Sequence, residues 1–305
     1  MKKDFLSIID LSKGEIINLF EQADYLRKLL REGKFLYPLK EKTLGMIFRK
    51  PSTRTRLSFE VGMYQLGGHP LFLPSQGLQL QRGETIEDTA KVLSRYLNGI
   101  VIRTFDHREV IRFAKAASIP VINGLTDLLH PCQALSDYYT IWRKEKNLKK
   151  IKLVYVGDVN NVCNSLILGA SILGVNIFIS HPSEYKPDEK IISRAKKFKK
   201  AKITFIEDPI EAVEKADVIY TDVWISMGKE KEEKERRQIF KPYQLNQDLV
   251  KKAKKSAVVM HCLPAHRGEE ITDEVIDGEK SIVFEQAENR LHLQKALLVK
   301  LLGSR

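Results

Sequence analysis

Cysteine is scarce in this chain: Cys132, Cys163 and Cys262 are the three in 305 residues, an odd number in unlike contexts. That count and the lack of paired metal-ligand spacing exclude a disulfide framework and a cysteine zinc site, and they make a reducing, cytoplasmic setting the default expectation. No apolar run approaches a membrane span. After Met1-Lys2-Lys3 the chain turns amphipathic, with Asp10, Lys13 and Glu15, where a signal peptide would have its apolar stretch. Low-complexity tracts and internal repeats are also missing, and 43% hydrophobic with 30% charged residues belongs to a folded protein. Acidic charge is in deficit, 39 Asp and Glu against 51 Lys and Arg, for a net +12. The lysine runs Lys196 to Lys200 and Lys251 to Lys255 read as polar helix faces with no nucleic-acid module beside them. The charge is therefore assigned to attraction of small anionic substrates, with neither nucleic acid nor membrane as a partner.

At this length two domains are favoured, although one large α/β domain would also fit. Ser12-Lys13-Gly14-Glu15 is a capping box opening a helix that runs to Leu30. β-rich runs follow at Thr43–Phe48, Gly99–Thr104 and Ile119–Ile122, separated by helical stretches around Ser58–Leu66, Thr85–Tyr96 and His107–Ala117. The rhythm repeats with strands expected at Lys152–Val156, Asn176–Ile179, Lys202–Ile206, Val218–Thr221, Ala257–His261 and Ser281–Phe284. Alternation of this kind predicts mostly parallel sheets flanked by helices, with binding residues beyond the strand carboxyl ends. A barrel is the alternative, but the helix from Gln133 to Lys146 divides the units into two groups. The boundary is placed near Glu145. The densest charge run, Lys229 to Arg237, reads as mobile or solvent-facing, and Glu288–Leu302 as a helix with a broad apolar face that needs a partner surface.

The segment Ser52-Thr53-Arg54-Thr55-Arg56 stands between the apolar run Leu44–Phe48 and the helix-compatible Leu57-Ser58-Phe59-Glu60. Hydroxyls, guanidinium groups and free backbone N–H groups at one helix start make an anion trap. An ordinary Ser/Thr cap with two solvent arginines is the plain alternative. Arg103, at a strand end, offers another phosphate donor or a surface salt bridge. His130-Pro131-Cys132-Gln133 joins an imidazole and an amide at a helix start, suited to polarising a carbonyl. Gly157 to Ser165 lacks the three-glycine dinucleotide spacing and the P-loop lysine; its paired asparagines either meet a small zwitterion or cap the next helix. Asp222 can hold an ammonium group, and Ser226-Met227-Gly228 follows as ligand loop or plain loop end. In His261-Cys262-Leu263-Pro264 the cysteine is a wall, a ligand or a buried structural thiol; a nucleophile is disfavoured because His261 points to the other face of the strand.

In combination these segments resemble the ornithine carbamoyltransferases of the aspartate/ornithine carbamoyltransferase family, over essentially the whole chain and in the family's order. Gly83-Glu84-Thr85-Ile86-Glu87-Asp88-Thr89-Ala90 and Ala287-Glu288-Asn289-Arg290-Leu291-His292 extend the match. The resemblance implies a carbamoyl-phosphate domain over 1–145, an ornithine domain over 146–287, and a carboxy-terminal helix over 288–305 that returns to the first domain. It implies transfer of a carbamoyl group from carbamoyl phosphate to the side-chain amine of L-ornithine, giving L-citrulline and phosphate. No metal or organic cofactor is implied. Ser52, Thr53, Arg54, Thr55 and Arg103 would hold phosphate. His130, Gln133 and Arg290 would surround the carbamoyl end, with Cys262 and Leu263 completing it, and Asn161, Asp222, Ser226 and Met227 would receive ornithine. Arg54, Arg103, His130, Cys262 and Arg290 are the catalytic expectations. The family forms catalytic trimers, so a homotrimer or a larger assembly such as a dodecamer is expected, with Gln79 reaching a neighbouring subunit's site and Gln81 as its competitor. Cys262 and Ser226-Met227-Gly228 argue for ornithine over aspartate or acetylornithine; a relative using putrescine or another amine is the alternative.

Overall fold

The capping box read from the sequence is present: Ser12 Oγ accepts from the Glu15 N–H and the Glu15 carboxylate accepts from the Ser12 N–H, opening α1 at Lys13–Arg31. The structure, a computed structural model, describes residues 3–225 and 232–303. The chain divides into two compact units, Met1–Tyr139 with Glu288–Arg305, and Thr140–Ala287.

The first unit continues through β1 (Thr43–Phe48), α2 (Thr53–Gln65), β2 (His69–Pro74), α3 (Ile86–Tyr96), β3 (Gly99–Arg103), α4 (His107–Ala116), β4 (Val121–Leu125) and the start of α5 (Pro131–Lys144). Its strands form one parallel sheet in the order β2-β1-β3-β4. The order reverses between β1 and β3, so the loops leaving these two strands diverge and leave a crevice at their carboxyl ends. Ser52 follows β1 and Arg103 ends β3. Every residue of β3 and β4 is buried, as a sheet covered on both faces requires. Ile47, Ile100, Ile102, Val110, Phe113 and Val121 pack together in one of its cores.

The second unit contains β5 (Lys152–Val156), α6 (Asn161–Leu173), β6 (Asn176–Ser180), α7 (Glu189–Lys196), β7 (Ile203–Ile206), α8 (Pro209–Val213), β8 (Val218–Thr221), α9 (Glu233–Phe240), α10 (Gln247–Val250), β9 (Val258–His261), α11 (Asp273–Ile276) and the first turn of α12 (Val283–Leu302). Its sheet is again parallel, in the order β7-β6-β5-β8-β9. Here the reversal falls between β5 and β8, the strands that lead into Gly157–Asn161 and Asp222.

From Glu288 onward α12 belongs to the first unit. Leu293, Ala296, Leu297 and Leu298 are buried along it, and it packs on α2 where Gly62 leaves room: a Cβ at Gly62 would lie 3.3 Å from Lys295 Cγ and 3.7 Å from Leu291 Cδ1. The broad apolar face seen in the sequence finds its partner here.

Four readings need correction. The strand expected at Ser281–Phe284 is a single parallel bridge, Ser281 to Val259, and the chain then turns into α12, its first turn closed by Gln286 N–H to Ile282 O at 2.8 Å. The long run of helix formers after it outweighs four β-compatible residues. Strand β2 escaped the sequence reading because Pro70 and Pro74 argue against a strand; it lies at the sheet edge and pairs with β1 alone, where proline is tolerated. The lysine runs at 196–200 and 251–255 lie at or past the ends of α7 and α10, in turns, and not along helix faces. Within the run read as solvent-facing, residues 229–231 fall outside the described residues, but Arg236 is 1% exposed.

Candidate active site

In the first unit, α2 begins at Thr53 rather than near Ser58, and Ser52 is its N-cap, accepting from the Thr55 N–H at 3.2 Å. The plain capping role is thus realised, and it does not exclude the other, because a helix start carries partial positive charge that favours an anion. Thr55 is buried, Ser52 and Arg54 half-buried, and Thr53 exposed. Arg290, from α12, is 2% exposed. It donates through Nη2 to Thr55 Oγ1 at 3.1 Å and through Nη1 to Gln133 Oε1, and Gln133 Nε2 donates to Asp137 Oδ1 at 2.8 Å. Three helices are therefore bound to one guanidinium fork, and Gln133 is oriented by a carboxylate one helical turn on.

His130 closes the loop after β4, buried, immediately before α5. Burial, then the charges of Arg290, Arg103 and Arg54, hold its imidazole well below its usual range. The ring is accordingly neutral at pH 7, a hydrogen-bonding group beside three cations and not an acid. The structure so brings Arg54, Arg103, His130, Gln133, Arg290 and Thr55 together in one unit. Gln79 enters none of these hydrogen bonds; it stands exposed on a 3-10 turn, Gln79–Arg82, and the Gln81 side chain lies outside the described residues.

In the second unit, Asn160 caps α6, its Oδ1 accepting from the N–H groups of Val162 (2.9 Å) and Cys163 (3.2 Å) while Nδ2 donates to Asp222 Oδ2 at 2.7 Å. The other oxygen of Asp222 accepts from Cys262 Sγ at 2.9 Å and from the Val223 N–H at 2.9 Å. Asparagine, carboxylate and thiol thus line up across the ends of β5, β8 and β9. Gly157, at φ +128°, makes the turn that a side chain would strain. Asn161 is half-buried in the first turn of α6. Ser226 and Met227 lie outside the described residues.

Leu263 has a left-handed backbone, φ +56°, ahead of a cis Leu263–Pro264 bond. His261 sets it: Nδ1 accepts from the Leu263 N–H at 2.8 Å, which places the ring proton on Nε2, donated to Glu270 Oε1 at 2.9 Å. His261 and Glu270 are both fully buried. Asp222, His261 and Cys262 offer donor atoms within 4.8 Å of one another, a conceivable metal trio, but both His261 nitrogens are committed to hydrogen bonds.

Sequence reasoning missed Arg236, which donates to the Trp224 carbonyl at 2.7 Å and pairs with Asp158, because it sits in a charged run that looks like surface. It also missed Asp137, for which a signal existed: the i,i+4 spacing from Gln133 on one helix.

Two parallel α/β units, one with an arginine and hydroxyl cluster and the other with a carboxylate and thiol, form the architecture of the carbamoyltransferases. Residues 3–143 match the carbamoyl-P binding domain of aspartate/ornithine carbamoyltransferase, and residues 149–301 match the Asp/Orn binding domain. The chain belongs to the aspartate/ornithine carbamoyltransferase family. It is 57% identical to the ornithine carbamoyltransferase of Syntrophus aciditrophicus over 298 residues, 98% of this chain and 99% of that one. It is 54% identical to that of Pyrococcus abyssi over 304 residues, 99% and 96% of the two chains. The solved structure of ornithine carbamoyltransferase from Pyrococcus furiosus superposes with a TM-score of 0.95 at 52% identity, covering 100% of this chain and 98% of that one.

Proposed function

We infer that this chain transfers the carbamoyl group of carbamoyl phosphate to the side-chain amine of L-ornithine, giving L-citrulline and phosphate. The observation that carries this is identity above 50% along the full chain to curated ornithine carbamoyltransferases. A putrescine-using relative is not favoured.

The residue roles are our proposal. Ser52, Thr53, Arg54 and Thr55 hold the phosphate oxygens with Arg103, which the helix start and the guanidinium groups suit. His130, Gln133 and Arg290 face the carbamoyl oxygen and amide, with Cys262 and Leu263 at the same end, while Asn161, Asp222, Ser226 and Met227 receive ornithine. An amine of pKa near ~10 must lose its proton before it attacks. The neutral amine forms a C–N bond to the carbamoyl carbon, the bond from that carbon to the phosphate oxygen breaks, phosphate leaves with its electron pair, and the amine proton departs. A neutral His130 donating a hydrogen bond, with Arg290 beside it, stabilises negative charge growing on the carbamoyl oxygen. Arg54 and Arg103 meet the charge of the leaving phosphate. Asp222, with its Cys262 partner, orients the amine.

We further propose a homotrimer or an assembly of trimers, with Gln79 serving a neighbouring subunit. Leu57, Val61 and Tyr64, exposed on one face of α2, support self-association. Three cysteines, none of them joined in a disulfide, suit a cytoplasmic setting. Among the described residues no helix is long and apolar enough to cross a membrane.

The test is citrulline formation from carbamoyl phosphate with L-ornithine, putrescine, aspartate and acetylornithine as acceptors. Turnover selective for L-ornithine is the expected result; turnover with putrescine and none with ornithine would overturn the acceptor assignment.

A further inference from the structure

The two proposed phosphate-holding segments, Ser52–Thr55 and Arg103, leave adjacent strands, and one side chain outside the proposed site bridges residues that flank them. Glu109, in the first turn of α4, accepts from Arg49 Nη1 through Oε1 at 2.7 Å and from Thr104 Oγ1 through Oε2 at 2.6 Å. Arg49 lies three residues before Ser52, and Thr104 directly follows Arg103. The backbone completes the ring, with the Arg49 N–H donating to the Arg103 carbonyl at 2.8 Å. Beyond this point the two segments are no longer paired with each other: the β1–β3 pairing ends at Phe48 and Arg103, and the β3–β4 register shifts between Ile102 and Arg103, although the Thr104 N–H still donates to the Leu125 carbonyl at 3.0 Å. A register shift re-aims the side chains that follow it.

We propose that Glu109 is a positioning residue for carbamoyl-phosphate binding, fixing the spacing of Ser52–Thr55 and Arg103 by holding Arg49 with one carboxylate oxygen and Thr104 with the other. The proposal rests on the reading that these segments bind phosphate. An isolated ion pair exposed like this one, 29% and 26% at its two side chains, would carry little weight. The difference is the second arm: the Thr104 hydroxyl, on a residue 1% exposed, donates to the same carboxylate, and a hydrogen bond to a charged group from a buried donor counts for more than the exposed pair alone. Glu109 also lines a cavity of about 20 Å³ with Arg49, Thr104, Ile47, Ile102 and Phe113. The carboxylate thus reaches from a partly open hollow onto the core side of the two strands.

The experiment measures binding of inorganic phosphate, the reaction's product, by calorimetry on the assembled enzyme, with KM for carbamoyl phosphate and for ornithine measured alongside. Glu109→Ala weakens phosphate binding by about tenfold, the effect of losing charge-assisted hydrogen bonds, and raises the carbamoyl-phosphate KM in step, while the ornithine KM stays within about twofold. Glu109→Gln retains the volume and the Thr104 contact but loses the ion pair; its effect is about threefold, on the scale of a partly exposed pair, and it serves if the alanine variant fails to fold. Arg49→Met has an effect in the wild type and little additional effect in Glu109→Gln, because the two residues act through one contact. Unchanged phosphate affinity in folded Glu109→Ala, or an equal rise in the ornithine KM, overturns the proposal. Arg54→Ala separates it from the reading beneath: if that variant still binds phosphate normally, the phosphate site itself is misassigned and both fall.

Discussion

Arg236 and Asp158 form an ion pair at 2.7 Å with side chains 1% and 4% exposed. The guanidinium also donates to the Trp224 carbonyl at 2.7 Å and lies over the rings of Tyr185 and Phe240, at 4.4 and 5.0 Å. It thereby ties the Asp158 turn after β5 to the segment carrying Asp222.

Removing one partner of such a pair strands the other charge away from water. Arg236→Met lowers the unfolding free energy by about 3–5 kcal/mol in chemical denaturation, and Asp158→Asn in the same chain restores part of it. Because Trp224 loses its tether two residues from Asp222, the ornithine KM also rises. A variant as stable as the wild type would show that the pair contributes nothing net.

Arg290 is bound at two points, Thr55 and Gln133, and a planar fork is needed to reach both. Lysine keeps the charge and loses the geometry. Arg290→Lys therefore reduces kcat/KM by roughly 100-fold, the scale of removing a key electrostatic contact. Arg54→Ala falls at least as far. Steady-state kinetics with both substrates varied provides the check, and near-normal turnover in either variant would remove that residue from the proposed chemistry.

Two buried imidazoles respond to acid. His130 is held well below its usual range and His292 is lowered to about 4, with burial the leading cause in both. Below the ordinary histidine pKa, the unfolded chain thus binds protons that the folded state refuses. The stability these groups give is whole above about pH 6.5 and is lost as pH falls toward the folded values. Between pH 7 and 4.5, His292→Gln loses less stability than the wild type, by about 2 kcal/mol. Parallel loss in the two proteins would place the acid sensitivity elsewhere.

Lys295 gives the opposite limb. It is 3% exposed, donates to Gln65 Oε1 at 2.9 Å, and burial lowers its amine to about 8 from 10.5. Between these values the unfolded chain holds the extra proton, so this residue's contribution rises as pH increases from about 8 to about 10.5. Since tyrosines titrate in the same window, the measurable quantity is the difference from Lys295→Met: the variant is the more stable protein at pH 7.5, by about 2–3 kcal/mol, and its advantage shrinks toward pH 10. An advantage that does not change with pH would contradict a depressed lysine.

The parallel architecture and the strand-end placement of the binding motifs were legible in the sequence, because buried parallel strands are short apolar runs and their exits carry polar clusters. The Ser52 cap and the His130-Pro131-Cys132-Gln133 helix start could be read from a few adjacent residues. What could not be read depends on distant partners. Arg236 looks like one more surface cation until Asp158 and Trp224 stand beside it. Strand β2 is disguised by Pro70 and Pro74, which are tolerable because of its edge position. Glu109 acquires its role through Arg49, sixty positions earlier. Residue 281 failed for the reverse reason: local β preference gave way to the helix that follows it.

The first unit is discontinuous in the chain, and that has a consequence during synthesis. Arg290 and the α12 leucines leave the ribosome only after the whole of the second unit has been made. Until then α2 and the sheet beside it lack the surface that covers Gly62, and Gln133 and Thr55 lack the guanidinium that joins them. The order of translation thus lets the second unit fold independently while the first must wait, with its apolar face open, for its last helix. A nascent chain stalled before residue 288 would be a natural client for a chaperone.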